Sequence, residues 1–291
     1  MTQPDLTLSG RVETWRKGDA RFPLSLDDLP QPPRTLYAVG RADVLNAPLV
    51  AIVGTRDSTA YGERTARSLA RDLVRAGVCV VSGMARGIDA AAHRSALDEG
   101  GATVAVLGTG IDVPYPAGHQ ALHRRIAAEG LVLSENGPGA TAHKGAFPKR
   151  NRIIAGLARL TIVVEAGRKS GALNTATHAL DLDRIVAAVP GPVDSPQSVG
   201  SNELLRDGAA VITGAEDALA LLGLSSAART ADPILPEPER SVWALLGDGY
   251  RDPDWLGGRT GLSIAQCQAA ITSLEIRGLI ETSRAGEVRR R

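Results

Sequence analysis

Seven short apolar runs punctuate this chain: LVAIVG (49–54), VCVVSG (78–83), ATVAVLG (102–108), LVLSE (131–135), LTIVVEA (160–166), IVAAVPG (185–191) and AAVIT (209–213). The runs are rich in β-branched residues and continuous rather than alternating, the pattern of strands buried on both faces. Helical periodicity separates several of them. Over residues 61–76, Ala66, Leu69, Ala70, Leu73 and Val74 recur at three-to-four spacing, with Arg67, Arg71, Asp72 and Arg75 on the opposite side. Residues 90–97, 120–128 and 172–180 read in the same way. Continuous strands that alternate with amphipathic helices leave one α/β solution: a Rossmann-like, doubly wound parallel sheet with helices on both faces.

The runs confine this core to residues 47–223. Residues 1–46 are irregular, with Pro30, Pro32 and Pro33 close together and a short strand expected at 36–39, and are read as a segment packed on the core. Residues 224–240, LSSAARTADPILPEPER, have no apolar period and read as a linker. Residues 241–291 hold three short helical patterns and a hairpin, the order of a small C-terminal winged-helix domain.

Aromatic residues make up 3% of the chain, so the core must be built from Ala, Val, Leu and Ile, and each ring stands out. No apolar run approaches the ~18 residues of a membrane span. The first 15 residues carry no apolar signal segment, and Cys79 and Cys267 form neither a CxxC pair nor a disulfide framework. A cytoplasmic protein with no membrane contact is expected, and nothing in the sequence calls for a metal or an organic cofactor.

In doubly wound sheets, ligands bind beyond the carboxyl ends of the strands. Glycine loops cluster there: GTR (54–56), SGMARGID (82–89), GTGID (108–112) and EAGRKSG (165–171). Glycine permits close backbone approach, and the N–H groups of the following helices favour anions. Gly54 and Arg56, Ser82 and Gly83, and Lys169 and Ser170 are therefore candidate contacts. The loops match neither GxGxxG nor GxxxxGK[ST], and the chain has no GxSxG elbow or HExxH pair. His119 and His123 share a helix face at the spacing of packing residues. The acids Asp89, Asp112, Glu135 and Glu165 form no evident catalytic pair.

Positive charge is concentrated in one place. Residues 141–170 hold seven Lys or Arg and a single acid, Glu165, and include three of the chain's four lysines, Lys144, Lys149 and Lys169. Lysine is a compact, flexible point charge suited to phosphate oxygens. Within HKGAFPKRNRIIAGL (143–157), Phe147 lies among Lys144, Lys149, Arg150 and Arg152, with Asn151 between the two arginines. In what reads as a Gly/Pro/Lys loop, such a cluster is a solvated surface, a small-anion site, or a groove that follows a phosphate backbone while an aromatic ring stacks a base.

The motif series resembles that of the DNA-processing protein A family, DprA or Smf. It comprises YG (61–62) after GTR, SGMARGIDAAAH (82–93), GIDVPYP (110–116), FPKRNRIIAGL (147–157), VVEAGRKSGALNTA (163–176) and AAVPGPV (187–193). The match runs in order from about residue 22 to 214. The resemblance implies a Rossmann-like core that forms a homodimer and binds single-stranded DNA in a basic pocket. It further implies a mediator that protects incoming DNA, displaces single-strand-binding protein and helps load the RecA recombinase during natural transformation, and that is not an enzyme. Arg56, Lys144 and Phe147 fall on the family's pocket Arg, Lys and stacking Phe, and Arg150 and Arg152 on its RNR block. The chain departs from the family with GTR for GSR, His119 for Asn after YPxx, and Asn174 at a commonly apolar position; the helical N-terminal extension of some members is expected to be absent or reduced to residues 1–21.

Two other readings compete. The fold also serves nucleotide-binding and nucleotide-hydrolysing enzymes, although the PGGxGTxxE pattern of one such group is absent. The winged helix could read duplex DNA, but its recognition helix, 263–277, offers one base, Arg277, beside one acid, Glu275. A protein-contact or regulatory role suits it better.

Overall fold

The structure is a computed structural model that describes residues 10–143, 145–224, 235–246, 251–283 and 286–290. The chain divides into two compact units, Met1–Ala228 and Arg229–Arg291.

The first unit is a layered α/β domain. Its strands are β1 (Glu13–Arg16), β2 (Thr35–Gly40), β3 (Leu49–Val53), β4 (Cys79–Ser82), β5 (Thr103–Gly110), β6 (Leu131–Asn136), β7 (Leu160–Val163), β8 (Ile185–Ala188) and β9 (Ala210–Val211). They lie in the order β1-β2-β6-β5-β4-β3-β7-β8-β9. From β6 to β9 every pairing is parallel, while β1 and β2 add an antiparallel edge. The strand expected at 36–39 is β2, and it joins the core sheet through β6.

The helices are α1 (Ala60–Arg75), α2 (Ile88–Asp98), α3 (Gln120–Glu129), α4 (Ala146–Leu157), α5 (Gly171–Leu180), α6 (Val199–Arg206) and α7 (Ala215–Leu221). Period-two alternation along β3 sends its side chains to opposite layers. Val50 and Ile52 pack with Ala66, Leu69 and Leu73 of α1, whereas Ala51 and Val53 join Ile153 and Ile154 of α4 and Ala176 of α5. Because both faces are covered, β3 is buried at all five positions, which is why its sequence is continuous rather than alternating. Trp15, Phe22, Leu26 and Leu29 of the N-terminal segment are buried in the same cluster as Ile153 and Ile154.

From β3, the chain winds one way through β4, β5 and β6, and then returns to the other side of β3 at β7. The switch point therefore lies between β3 and β7, where the loops after the two strands diverge and leave a crevice.

The second unit contains α8 (Glu239–Leu245), α9 (Pro253–Thr260), α10 (Ile264–Ile276) and the hairpin β10 (Ile280–Thr282) with β11 (Val288–Arg290). It has its own apolar cluster, which includes Leu235, Val242, Leu256, Leu274 and Val288. Ser263 and Gln266 form a reciprocal capping box that starts α10. Most of the segment read as a linker lies outside the described residues; its last residues are described, and α8 begins within them at Glu239.

Candidate nucleic-acid interface

The stretch read as an open basic loop is instead a helix. Gly145 precedes α4 with φ at 91°, a left-handed conformation that glycine adopts without penalty. Pro148 falls in the first turn, where a missing N–H costs nothing. Helical winding then turns the RNR block inward: Arg150, Asn151 and Arg152 are all buried. Lys144 lies outside the described residues.

Arg150 runs beneath the ends of β4 and β5. Its Nη1 donates to the Gly83 carbonyl at 2.7 Å and to the Val106 carbonyl, and its Nε to Asn151 Oδ1 at 3.2 Å. Gly83 has to be glycine for this, because a Cβ there would lie 2.4 Å from Arg150 Nη2. Burial lowers the Arg150 pKa to about 10, so the guanidinium still carries its charge at neutral pH. Beside it, the fully buried Asp89 carboxylate accepts from Gly83 N at 3.1 Å and Ala85 N at 3.4 Å. Burial raises the Asp89 pKa, opposed first by the charge of Arg150.

Arg152 points elsewhere. It donates twice to Glu135, at 2.7 and 2.8 Å, and Lys149 meets the same carboxylate at 3.3 Å. The expectation that Arg150 and Arg152 stand as open surface cations is thus corrected: the first holds strand-end carbonyls and the second an acid. Ser82 is corrected as well, since it is fully buried and its hydroxyl donates to the Ile52 carbonyl at 2.7 Å.

At the switch point a cavity of about 470 Å³ is lined from the loop after β3 by Gly54, Thr55 and Arg56, from α4 by Phe147, Arg150 and Asn151, and from the β7–α5 loop by Lys169 and Ser170. Gly54 is fixed by a close approach, since a Cβ would meet Ile88 Cγ1 at 2.5 Å. Ser170 caps α5, accepting from Ala172 N at 3.3 Å, so the positive end of that helix opens onto the cavity. Asn151 donates to the Gly171 carbonyl at 3.1 Å and to Asn174 Oδ1 at 3.2 Å, which ties α4 to α5 across the floor. The unusual Asn174 thus has a partner in the RNR block. Arg56 and Lys169 are exposed and make no ion pair among the described residues.

Phe147 is half-buried and shared. Arg56 lies over its ring at 5.1 Å from the centroid, and Tyr115 leans against it with ring centroids 4.8 Å apart and planes at 37°. A second cavity of about 240 Å³ adjoins the first, lined by Gly83, Arg86, Tyr115 and Pro116 in addition to Arg56, Phe147 and Arg150. Gly83 faces this smaller cavity. Tyr115 was given no role by sequence reasoning, although VPYP places one of the few rings of the chain on the strand-end edge.

The carboxylates near the switch point are occupied by backbone. Glu165 accepts from Thr59 N at 3.0 Å and from the Thr59 hydroxyl at 2.5 Å, holding the start of α1. His119 and His123 each bond a main-chain carbonyl, of Met84 at 3.0 Å and of Ile111 at 2.9 Å. Among the described residues, no three of His, Cys, Asp and Glu come together as a metal site, and no helix is long and apolar enough to cross a membrane.

Fold and site together define a doubly wound α/β protein with a cationic, aromatic-walled cavity at its switch point. Residues 13–223 match the model of the family described as DNA recombination-mediator protein A, and residues 226–286 match the DprA winged helix domain. A relative in Mycobacterium tuberculosis that bears the DprA name is 46% identical over 86% of this chain and 67% of its own. The DNA processing protein DprA of Streptococcus pneumoniae is 43% identical over 69% of this chain and 71% of its own. Its X-ray structure superposes with a TM-score of 0.70, covering 72% of this chain and 74% of that one. The Helicobacter pylori DNA processing protein A, whose structure describes a single-stranded DNA binding mode, superposes with a TM-score of 0.67 at 32% identity, covering 73% of this chain and 96% of that one. The chain belongs to the DNA recombination-mediator protein A family.

Proposed function

We propose that this protein binds single-stranded DNA in the switch-point cavity and acts as a recombination mediator, protecting incoming strands and passing them to the RecA recombinase during natural transformation. The observation that carries the reading is that Arg56 and Lys169, exposed and without ion pairs among the described residues, line the same cavity as Phe147. Cations that follow a backbone beside rings that stack bases are the physical requirement for single-strand binding without base preference. Arg150 adds a fixed positive charge beneath the cavity, and α5 adds its N-terminal dipole. A base entering beside Phe147 stacks on the Arg56 guanidinium or takes its place on the ring. Ser170 adds a polar group to the rim, and Lys144 and Lys149, neighbours of Phe147 in sequence, are further candidate phosphate contacts. The working unit is a cytoplasmic homodimer whose two cavities hold one strand, with single-strand-binding protein as the competitor it displaces.

Nucleotide hydrolysis is the weaker reading. Asp89 and Glu165 are both engaged with backbone donors, which leaves neither free as a general base. We infer a binding protein, not an enzyme.

Fluorescence anisotropy of a labelled oligo-dT across a salt series tests the proposal. For wild type, log K falls linearly with log salt, by about 0.7 per neutralised phosphate on a single strand. Arg56→Glu and Lys144→Glu weaken binding and flatten that slope. Phe147→Ala costs about 1–3 kcal/mol and leaves the slope unchanged. Equal binding by all four folded proteins overturns the reading.

A further inference from the structure

We propose that the smaller cavity is a second base subsite, in which Tyr115 is the stacking platform and Arg86 the flanking cation, so that each protomer grips two consecutive nucleotides on either side of the Arg56–Phe147 pair. The inference rests on the single-strand reading of the larger cavity.

The two cavities share Arg56, Ala85, Phe147 and Arg150, so they adjoin along one wall. That wall is the stack of Arg56 over Phe147. Beyond it, Tyr115 rests one side on Phe147 and keeps 40% of its surface exposed, in a chain whose aromatic content is 3%. Its hydroxyl makes no hydrogen bond among the described residues, and Arg86 is exposed with no ion pair among them. The slot between them is also lined by the small residues Gly83 and Ala85 and by the charged Arg150. A ring with an open face, a cation without a partner and a volume of about 240 Å³ suit one planar base and its phosphate. A base enters such a slot only when it is unpaired, which makes the subsite selective for single strands by shape. Arg56, on the dividing wall, is placed for the phosphate that links the two nucleotides.

A length series from the thymidine mononucleotide to the tetranucleotide, measured on the full chain by competition against labelled oligo-dT, tests this. Wild type should gain about 5- to 150-fold in affinity between one nucleotide and two. Tyr115→Ala should remove most of that step while leaving mononucleotide affinity unchanged, Tyr115→Phe should retain it, and Arg86→Ala should reduce it. Oligonucleotides with 2-aminopurine at the second position should lose quenching with Tyr115→Ala and regain it with Tyr115→Phe. If Tyr115→Ala weakens every length equally, Tyr115 only buttresses Phe147 and the subsite is refuted. If Tyr115→Ala matches wild type while Arg56→Glu binds weakly, the subsite alone falls. If wild type binds no oligonucleotide, the single-strand reading falls and this inference with it.

Discussion

His93 shows how one buried side chain makes this fold lose stability in acid. It sits in α2 with its ring fully buried. The Thr103 hydroxyl donates to the Val80 carbonyl at 2.8 Å, so at 2.7 Å it accepts from His93 Nδ1–H, and the imidazole is fixed in one neutral tautomer. Nε2 is buried without a hydrogen-bond partner of good geometry. Protonation would add a charge with no solvent around it and Arg150 nearby. Burial first, and that neighbouring cation second, lower the His93 pKa to about 3. Between pH 6.5 and 3 the unfolded chain therefore holds a proton that the native state refuses, and stability falls as pH falls, by up to about 1.4 kcal/mol per unit. Replacing the ring removes this term. His93→Leu should show a shallower loss of urea stability below pH 6.5 than wild type; parallel curves would mean that other groups carry the acid limb.

At the scale of the element, Glu165 and α1 form a cap borrowed from another strand. Thr59 caps the helix with its own hydroxyl, accepting from Gly62 N at 3.1 Å, and Glu165 at the end of β7 holds Thr59 in turn. The YG pair exists for this approach. A Cβ on Gly62 would lie 2.2 Å from Glu165 Oε2. Helix propensity alone favours Ala over Gly by about 1 kcal/mol. Here the carboxylate must retreat from a partly buried cap, and overpacking of this kind costs about 1–3 kcal/mol. Gly62→Ala should therefore lower the thermal midpoint rather than raise it, a direction that calorimetry reads directly. The helix α4 shows the complementary effect: its cations look like a solvated face in sequence, yet Arg150 is held by strand-end carbonyls and Arg152 and Lys149 by Glu135.

For the whole molecule, the two units have separate apolar clusters, and every residue lining the two cavities belongs to the first. A chain ending at residue 228 should therefore fold and bind oligo-dT within about twofold of the full protein. Loss of binding by a folded truncation would move the main contact to the winged helix. The strands, their burial on both faces, the glycine strand ends and the family motifs were legible because local pattern alone dictates them: a continuous β-branched run between helical periods has few places to go. Gly54, Arg56, Lys169 and Ser170 were legible as cavity-lining candidates for the same reason, since each follows a strand end on one edge of the sheet, and Phe147 by the cations around it. Which cations stay free was not. Arg150, Arg152 and Lys149 carry the same charge in the sequence, and only the turn of α4 against β4, β5 and Glu135 decides that two are spent inside or on an acid and the third is tethered beside it. Tyr115 escaped for a related reason, because its value as a platform depends on Phe147, 32 positions away in sequence and brought alongside by the parallel sheet. Local periodicity fixes elements; the balance of charges and the pairing of rings depend on contacts between residues far apart in the chain, and those exist only once the layers have packed.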